Sequence, residues 1–121
     1  MITSSAARNY WPGDYRKFER FPIEGPLDVS TAEGETFLAW CLDIGEGGLG
    51  ATISAHLKVG QEVVLNFKLP TARARLNLSA VVKYSRGFWY GLEFLGLNSA
   101  QREAIRAYGR SLQNEEGRLR K

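Results

Sequence analysis

Two arginines four residues apart, Arg16 and Arg20 in YRKFERFP, are the first residues whose type and spacing could do chemistry. A guanidinium presents a planar fork of donors that grips a phosphate or the acceptor edge of a guanine through two bonds at once. In R-x-x-x-R spacing both side chains share a face, whether the segment is helical or extended. When extended they stand roughly 13 Å apart, which suits a ligand with several phosphate and base groups. The second constellation is DIGEGG, residues 43–48. Period 2 places Asp43 and Gly45 on one side. Gly47 and Gly48 are expected to permit positive φ and to let a flat group approach the backbone. Plainer roles exist for each: the arginines as solvated partners of Glu19 and Asp14, and Asp43 as the cap of a glycine-rich turn.

Residues 45–50, GEGGLG, also satisfy the dinucleotide-binding pattern G-x-G-x-x-G. That pattern works only between a strand and a helix, with an acidic residue closing the next strand. The segment that would have to be the helix, ATISAHLK, carries β-branched Thr52 and Ile53 and spans only about two turns before Gly60. Glu62 precedes the next apolar run instead of closing it. The match is incidental, and the glycines belong to a turn between strands.

Catalytic sets are not evident. His56 is the only histidine and reads as a surface loop residue. Cys41, the only cysteine, sits in an apolar run beside Trp40 and reads as core. Paired carboxylates, metal-ligand spacing and Ser/His/Asp combinations do not stand out, so the chain is expected not to be an enzyme and to need no metal or cofactor.

The elements that must hold these residues are mostly strands. At 121 residues, with 44% hydrophobic and 24% charged residues, the chain has the makings of one domain. Short apolar runs predict strands near 21–30, 35–44, 48–54, 61–69, 74–85 and 88–95. QEVVLNFKLP alternates Val63, Leu65, Phe67 and Leu69 against Glu62, Asn66 and Lys68. RARLNLSAVVKY does the same with Leu76, Leu78, Ala80 and Val82, the signature of half-buried antiparallel strands. After them, Asn98 or Ser99 caps a helix in which Ala104, Ile105, Tyr108 and Leu112 mark the apolar face. Gly109 weakens its middle by up to about 1 kcal/mol relative to alanine. Six short strands and one helix favour a small closed barrel, which leaves no exposed edge. Residues 1–19 read as an irregular arm, 20–114 as barrel and helix, and 115–121 as a frayed tail.

The net charge of +3 comes with eleven arginines against five lysines, a bias that fits an anionic ligand. No apolar stretch nears the roughly 20 residues that cross a bilayer, so membrane insertion is not expected. With one cysteine and no apolar leader, a cytoplasmic setting is expected. Arginines and aromatic residues on a small barrel also fit single-stranded nucleic acid, a polymer partner that ranks below the small ligand.

In order and spacing these motifs resemble the PilZ family, bacterial domains that bind the second messenger cyclic di-GMP. The family pattern is R-x-x-x-R near the N-terminus, then [D/N]-x-S-x-x-G one strand pair later. Arg16 and Arg20 match the arginines, Asp43 and Gly48 match the ends of the second motif, and Gly45 stands where the family has serine. GGLGATI, GQEVVLNFKLP, LSAVVKYSRGFWYGLEF and the last helix follow the family layout, over roughly residues 16–114. The resemblance implies a six-stranded antiparallel β-barrel with one C-terminal α-helix, and cyclic di-GMP held on the outer surface by Arg16, Arg20, Asp43, Gly45 and Gly48. It also implies a protein effector of motility or polysaccharide secretion. The missing serine hydroxyl removes one neutral hydrogen bond, worth about 0.5–1.5 kcal/mol, so Gly45→Ser is expected to tighten binding several-fold. The alternative is a PilZ-like adaptor that has lost its ligand and acts by protein contacts.

Overall fold

The computed structural model describes residues 18–119, with side chains to residue 114. Arg16, the arm up to residue 17 and residues 120–121 lie outside the described residues. Six strands follow one another: β1 (Arg20–Thr31), β2 (Thr36–Gly45), β3 (Gly48–Ile53), β4 (Glu62–Phe67), β5 (Leu76–Arg86) and β6 (Trp89–Leu95). Each falls within two residues of its sequence-based bounds. One helix, α1 (Ser99–Leu119), comes last.

All strand pairs are antiparallel, and the order β1-β2-β3-β6-β5-β4 closes through β4 onto β1. Closure follows from the alternation. Val63, Leu65 and Phe67 of β4 and Leu78, Ala80 and Val82 of β5 are buried in one core with Leu27, Val29, Ile44, Leu49, Ile53 and Leu92. Curling the sheet until β1 meets β4 buries that face and leaves no free ladder edge.

Three register shifts break the alternation: one in β1 between Pro22 and Gly25, and two more that matter for the outer surface. In β2 the register shifts between Cys41 and Asp43, and in β5 between Val82 and Tyr84. Cys41 and Val82 point inward; the extra residue in each strand turns Asp43 and Tyr84 outward.

The connection from β3 to β4, where a dinucleotide fold would need a helix, is an irregular loop that Tyr90 pins. The Tyr90 hydroxyl donates to the Ala55 carbonyl at 2.7 Å and accepts from the Leu57 amide at 3.1 Å. His56 is exposed in this loop, as expected.

Helix α1 starts with a reciprocal capping box. The Gln101 amide donates to Asn98 Oδ1 at 2.7 Å, and the Asn98 amide donates to Gln101 Oε1 at 3.0 Å. Its apolar face lies against the start of β1: Ile105 is fully buried, and the Tyr108 hydroxyl donates to the Pro22 carbonyl at 2.7 Å. Gly109 has a packing role in addition to its helical cost, because a Cβ there would stand 2.3 Å from the Phe21 ring.

Candidate functional site

Arg20 opens β1 opposite Gly45 at the end of β2, so the arginine side chain reaches along the outer face toward Asp43. Its Nη2 donates to Asp43 Oδ1 at 2.7 Å, and the same oxygen accepts the Gly50 amide at 2.9 Å. The pair is only partly solvated, with side-chain exposures of 8% for Arg20 and 19% for Asp43. It is therefore less screened than an ion pair in open water. Asp43 Oδ2 accepts no hydrogen bond from a described residue, so half of the carboxylate's acceptor capacity is left for another donor.

The ladder places Asp43, Gly50, Gly91 and Tyr84 side by side across β2, β3, β6 and β5. Two adjacent glycines thus form a bare backbone floor, with a carboxylate on one side and an aromatic residue on the other. A Cβ on Gly50 would meet Asp43 Oδ1 at 2.7 Å and Trp89 Cζ2 at 3.3 Å, so the tryptophan ring borders this floor. Trp89 and Tyr84 meet edge to face, with ring centroids 5.5 Å apart and planes at 73°. Gly50, Gly91, Tyr84 and Trp89 thus join the candidate site, and of these Gly91 and Tyr84 carry no signal in the sequence. Trp89 alternates out of phase with buried Tyr90 and Leu92, which puts it on the outer face.

The turn glycines differ from expectation. Neither Gly47 nor Gly48 has positive φ. Gly48 is required for space: a Cβ there would lie 2.1 Å from the Leu92 carbonyl oxygen across the β3–β6 ladder. At Gly45 a Cβ would lie 2.5 Å from the Glu19 carbonyl oxygen and 3.2 Å from Arg20 Cδ. The absent side chain at 45 makes room for the root of the arm.

Between these glycines Glu46 ties the turn to α1. Arg106 donates to it from Nε at 2.9 Å and from Nη2 at 3.2 Å, and Arg102 Nη1 stands 3.5 Å away. The Glu46 carboxylate holds the Arg106 guanidinium above its ordinary range. A shallow cleft of about 190 Å³ lies beside this contact, lined by Glu19, Phe21, Glu46, Arg106, Gly109 and Arg110. Cys41, buried below Asp43, has its thiol pushed up to about 12, first by burial and then by the Asp43 charge. No cluster of metal-ligating side chains occurs among the described residues. None of the described helices is long and apolar enough to cross a membrane.

The arrangement can therefore hold a flat, polar, hydrogen-bonding group on the outside of a barrel, between an arginine–carboxylate pair and an aromatic corner. The family profile for the PilZ domain matches residues 14–110, most of the chain and both motifs. The chain belongs to the PilZ family. PilZ domains are cyclic di-GMP receptors rather than enzymes. Among curated proteins, none matches this PilZ chain in sequence.

Solved PilZ structures share its fold at low identity. The PilZ domain of YcgR from Escherichia coli, solved with c-di-GMP, is 15% identical with a TM-score of 0.68, over 85% of this chain and 95% of that one. The PilZ domain of CeSA from a cellulose synthesizing bacterium is 19% identical with a TM-score of 0.61, over 78% and 98%. MrkH of K. pneumonia, in its c-di-GMP complex, is 19% identical with a TM-score of 0.67; this chain covers just 55% of it.

Proposed function

We propose that this PilZ chain is a non-enzymatic cyclic di-GMP receptor whose ligand lies on the Gly50–Gly91 floor. The observation that carries the reading is the Arg20–Asp43 pair, set at 2.7 Å beside that floor on the barrel's outer face. Asp43 Oδ2 takes guanine N–H groups, and Arg20 together with Arg16 takes phosphate and guanine acceptors. Trp89 forms the side wall for a base, a contact worth about 1–3 kcal/mol per stacked base. Gly45 and Gly48 act indirectly, one by admitting the arm root and the other by letting β3 close on β6. Ligand binding at the junction of arm, turn and helix then alters a surface read by a protein effector. A cytoplasmic location accords with such a role.

Titration calorimetry with cyclic di-GMP tests this. Heat with a dissociation constant at or below tens of micromolar is expected, and Arg20→Ala or Asp43→Ala, checked for folding by circular dichroism, should abolish it. A folded wild-type chain that gives no heat overturns the receptor reading. One observation favours the adaptor alternative: the serine position is glycine, and the Glu19 carbonyl lies where its Cβ would be. Under that reading the wild type is silent toward the ligand while its protein contacts persist.

A further inference from the structure

Charge is divided along this chain. Residues 21–57 contain six acidic residues and no lysine or arginine, whereas residues 58–114 carry nine basic residues against three acidic ones. The fold turns this division into a face. Apart from Arg20 at its start, the acidic segment is β1, β2 and β3, contiguous in the barrel; Asp28, Asp43 and Glu46 are paired with arginines, which leaves Glu24, Glu33 and Glu35. On its outer side Leu38 and Trp40 alternate along β2, 71% and 45% exposed, opposite Asp28 and Pro26 of β1. Trp40 also pairs with Thr52 of β3, and the Ile53 amide donates to the Phe88 carbonyl at 2.9 Å, so Phe88, 62% exposed, borders the same end. Three large apolar side chains thus crowd one part of the surface, where single exposed ones would be ordinary. Glu24, Glu33 and Glu35 are exposed around it and form no ion pair with a described residue.

We infer that this face docks a protein partner through a segment in which apolar side chains are interspersed with lysine or arginine. The apolar centre supplies burial, and the acidic rim supplies orientation and selects against acidic segments. The same rim repels phosphates and so excludes nucleic acid. A closed barrel has no edge to extend, so the partner is read through side chains and not by strand addition. A second copy of this chain is the poorer fit, because several of its described basic side chains are engaged internally. Arg102 and Arg106 hold Glu46, Arg110 holds Glu103, and Arg75 holds Asp28. The inference stands whether or not the ligand binds.

The test is amide chemical-shift mapping on the isotopically labelled full chain. The probe is a synthetic peptide of about twelve residues alternating arginine with leucine. Shifts should concentrate at residues 24–40 and at 88, and affinity should fall as salt rises. Leu38→Ser/Trp40→Ser should weaken binding about tenfold or more, as loss of an aromatic anchor does. Glu33→Lys/Glu35→Lys should weaken it several-fold and flatten the salt dependence. Both substitution sets lie at exposed positions, and Trp40→Ser alone serves if the double variant does not fold. Equal binding by a peptide with glutamate in place of arginine overturns the inference, as do shifts mapping elsewhere or an unchanged affinity in both variants. Concentration-dependent shifts at 38, 40 and 88 in the free chain, with a dimer mass in centrifugation, would also overturn it and assign the face to a second copy.

Discussion

A single oxygen, Asp43 Oδ1, holds both the Arg20 guanidinium and the Gly50 amide, and so joins β1, β2 and β3 at one point on the outer surface. Removing one partner of such a half-buried pair leaves the other charge without compensation, so Arg20 and Asp43 are structural to the site as well as candidates for the ligand. Gly45 is constrained from the same side. Because its Cβ would press on a backbone carbonyl and not on a flexible side chain, Gly45→Ser is expected to cost about 1–3 kcal/mol in urea unfolding. In calorimetry it should leave ligand affinity equal or weaker, which reverses the tightening expected from the family's serine. A several-fold tightening would show that the arm root yields. Cys41 is the other residue whose chemistry is set by its surroundings. With the thiol raised from its ordinary value of 9.0 to about 12, native protein at pH 8 should react with Ellman's reagent only through unfolding, and urea should release full reactivity. The unfolded thiol ionises first, so its contribution to stability is complete below about pH 9 and is lost as pH rises toward 12.

At the scale of elements, the informative contact is α1 on the start of β1. Alanine is the better helix former by about 1 kcal/mol, so propensity alone predicts that Gly109→Ala stabilises the protein. The Phe21 ring atoms, 2.3–2.8 Å from where the methyl would be, predict the opposite. Gly109→Ala is expected to lose about 1–2 kcal/mol, because the half-buried Phe21 ring lies against the helix here and must shift to admit the methyl. In a Phe21→Leu background the same substitution should be neutral or stabilising, and a double-mutant cycle by denaturant melts measures the difference. Equal effects in the two backgrounds would mean that the ring does not set the sign. The Glu46 pairs with Arg102 and Arg106 make the same junction electrostatic, linking the β2–β3 turn to the helix.

For the whole molecule, closure is the event that makes a core. The seam is short, four residue pairs between Asp28–Thr31 and Val63–Asn66, with Val29 and Leu65 fully buried opposite each other. Leu65→Ala is expected to cost about 2–5 kcal/mol. It should shift the tryptophan fluorescence and circular dichroism transitions together, because a barrel opened at one seam loses its shared core at once. Separate transitions would mean that the other strand pairs persist when the seam opens. Closure also gathers the charge: exposed Glu24, Glu33 and Glu35 lie on the β1–β2 side with Leu38 and Trp40, while Glu46 of the same segment is held by the arginines of α1.

The strands, the helix and its cap were legible in the sequence because period-2 and period-3.6 burial are local properties, as Val63, Leu65 and Phe67 on β4 and Ile105 and Tyr108 on α1 illustrate. Arg20, Asp43 and Gly48 could be named from motif spacing alone. The sequence could not reveal which way Asp43 and Tyr84 point. Strict alternation would send Asp43 to the side of Cys41 and Tyr84 to that of Val82, into the core. The bulges that turn both outward exist only once β2 is paired with β3 and β5 with β6. Nor could it show Gly91 and Trp89 beside Gly50, some forty residues away, since that adjacency is a ladder register. Local pattern determined what the elements are and which faces they bury, and non-local pairing decided which residues share the site.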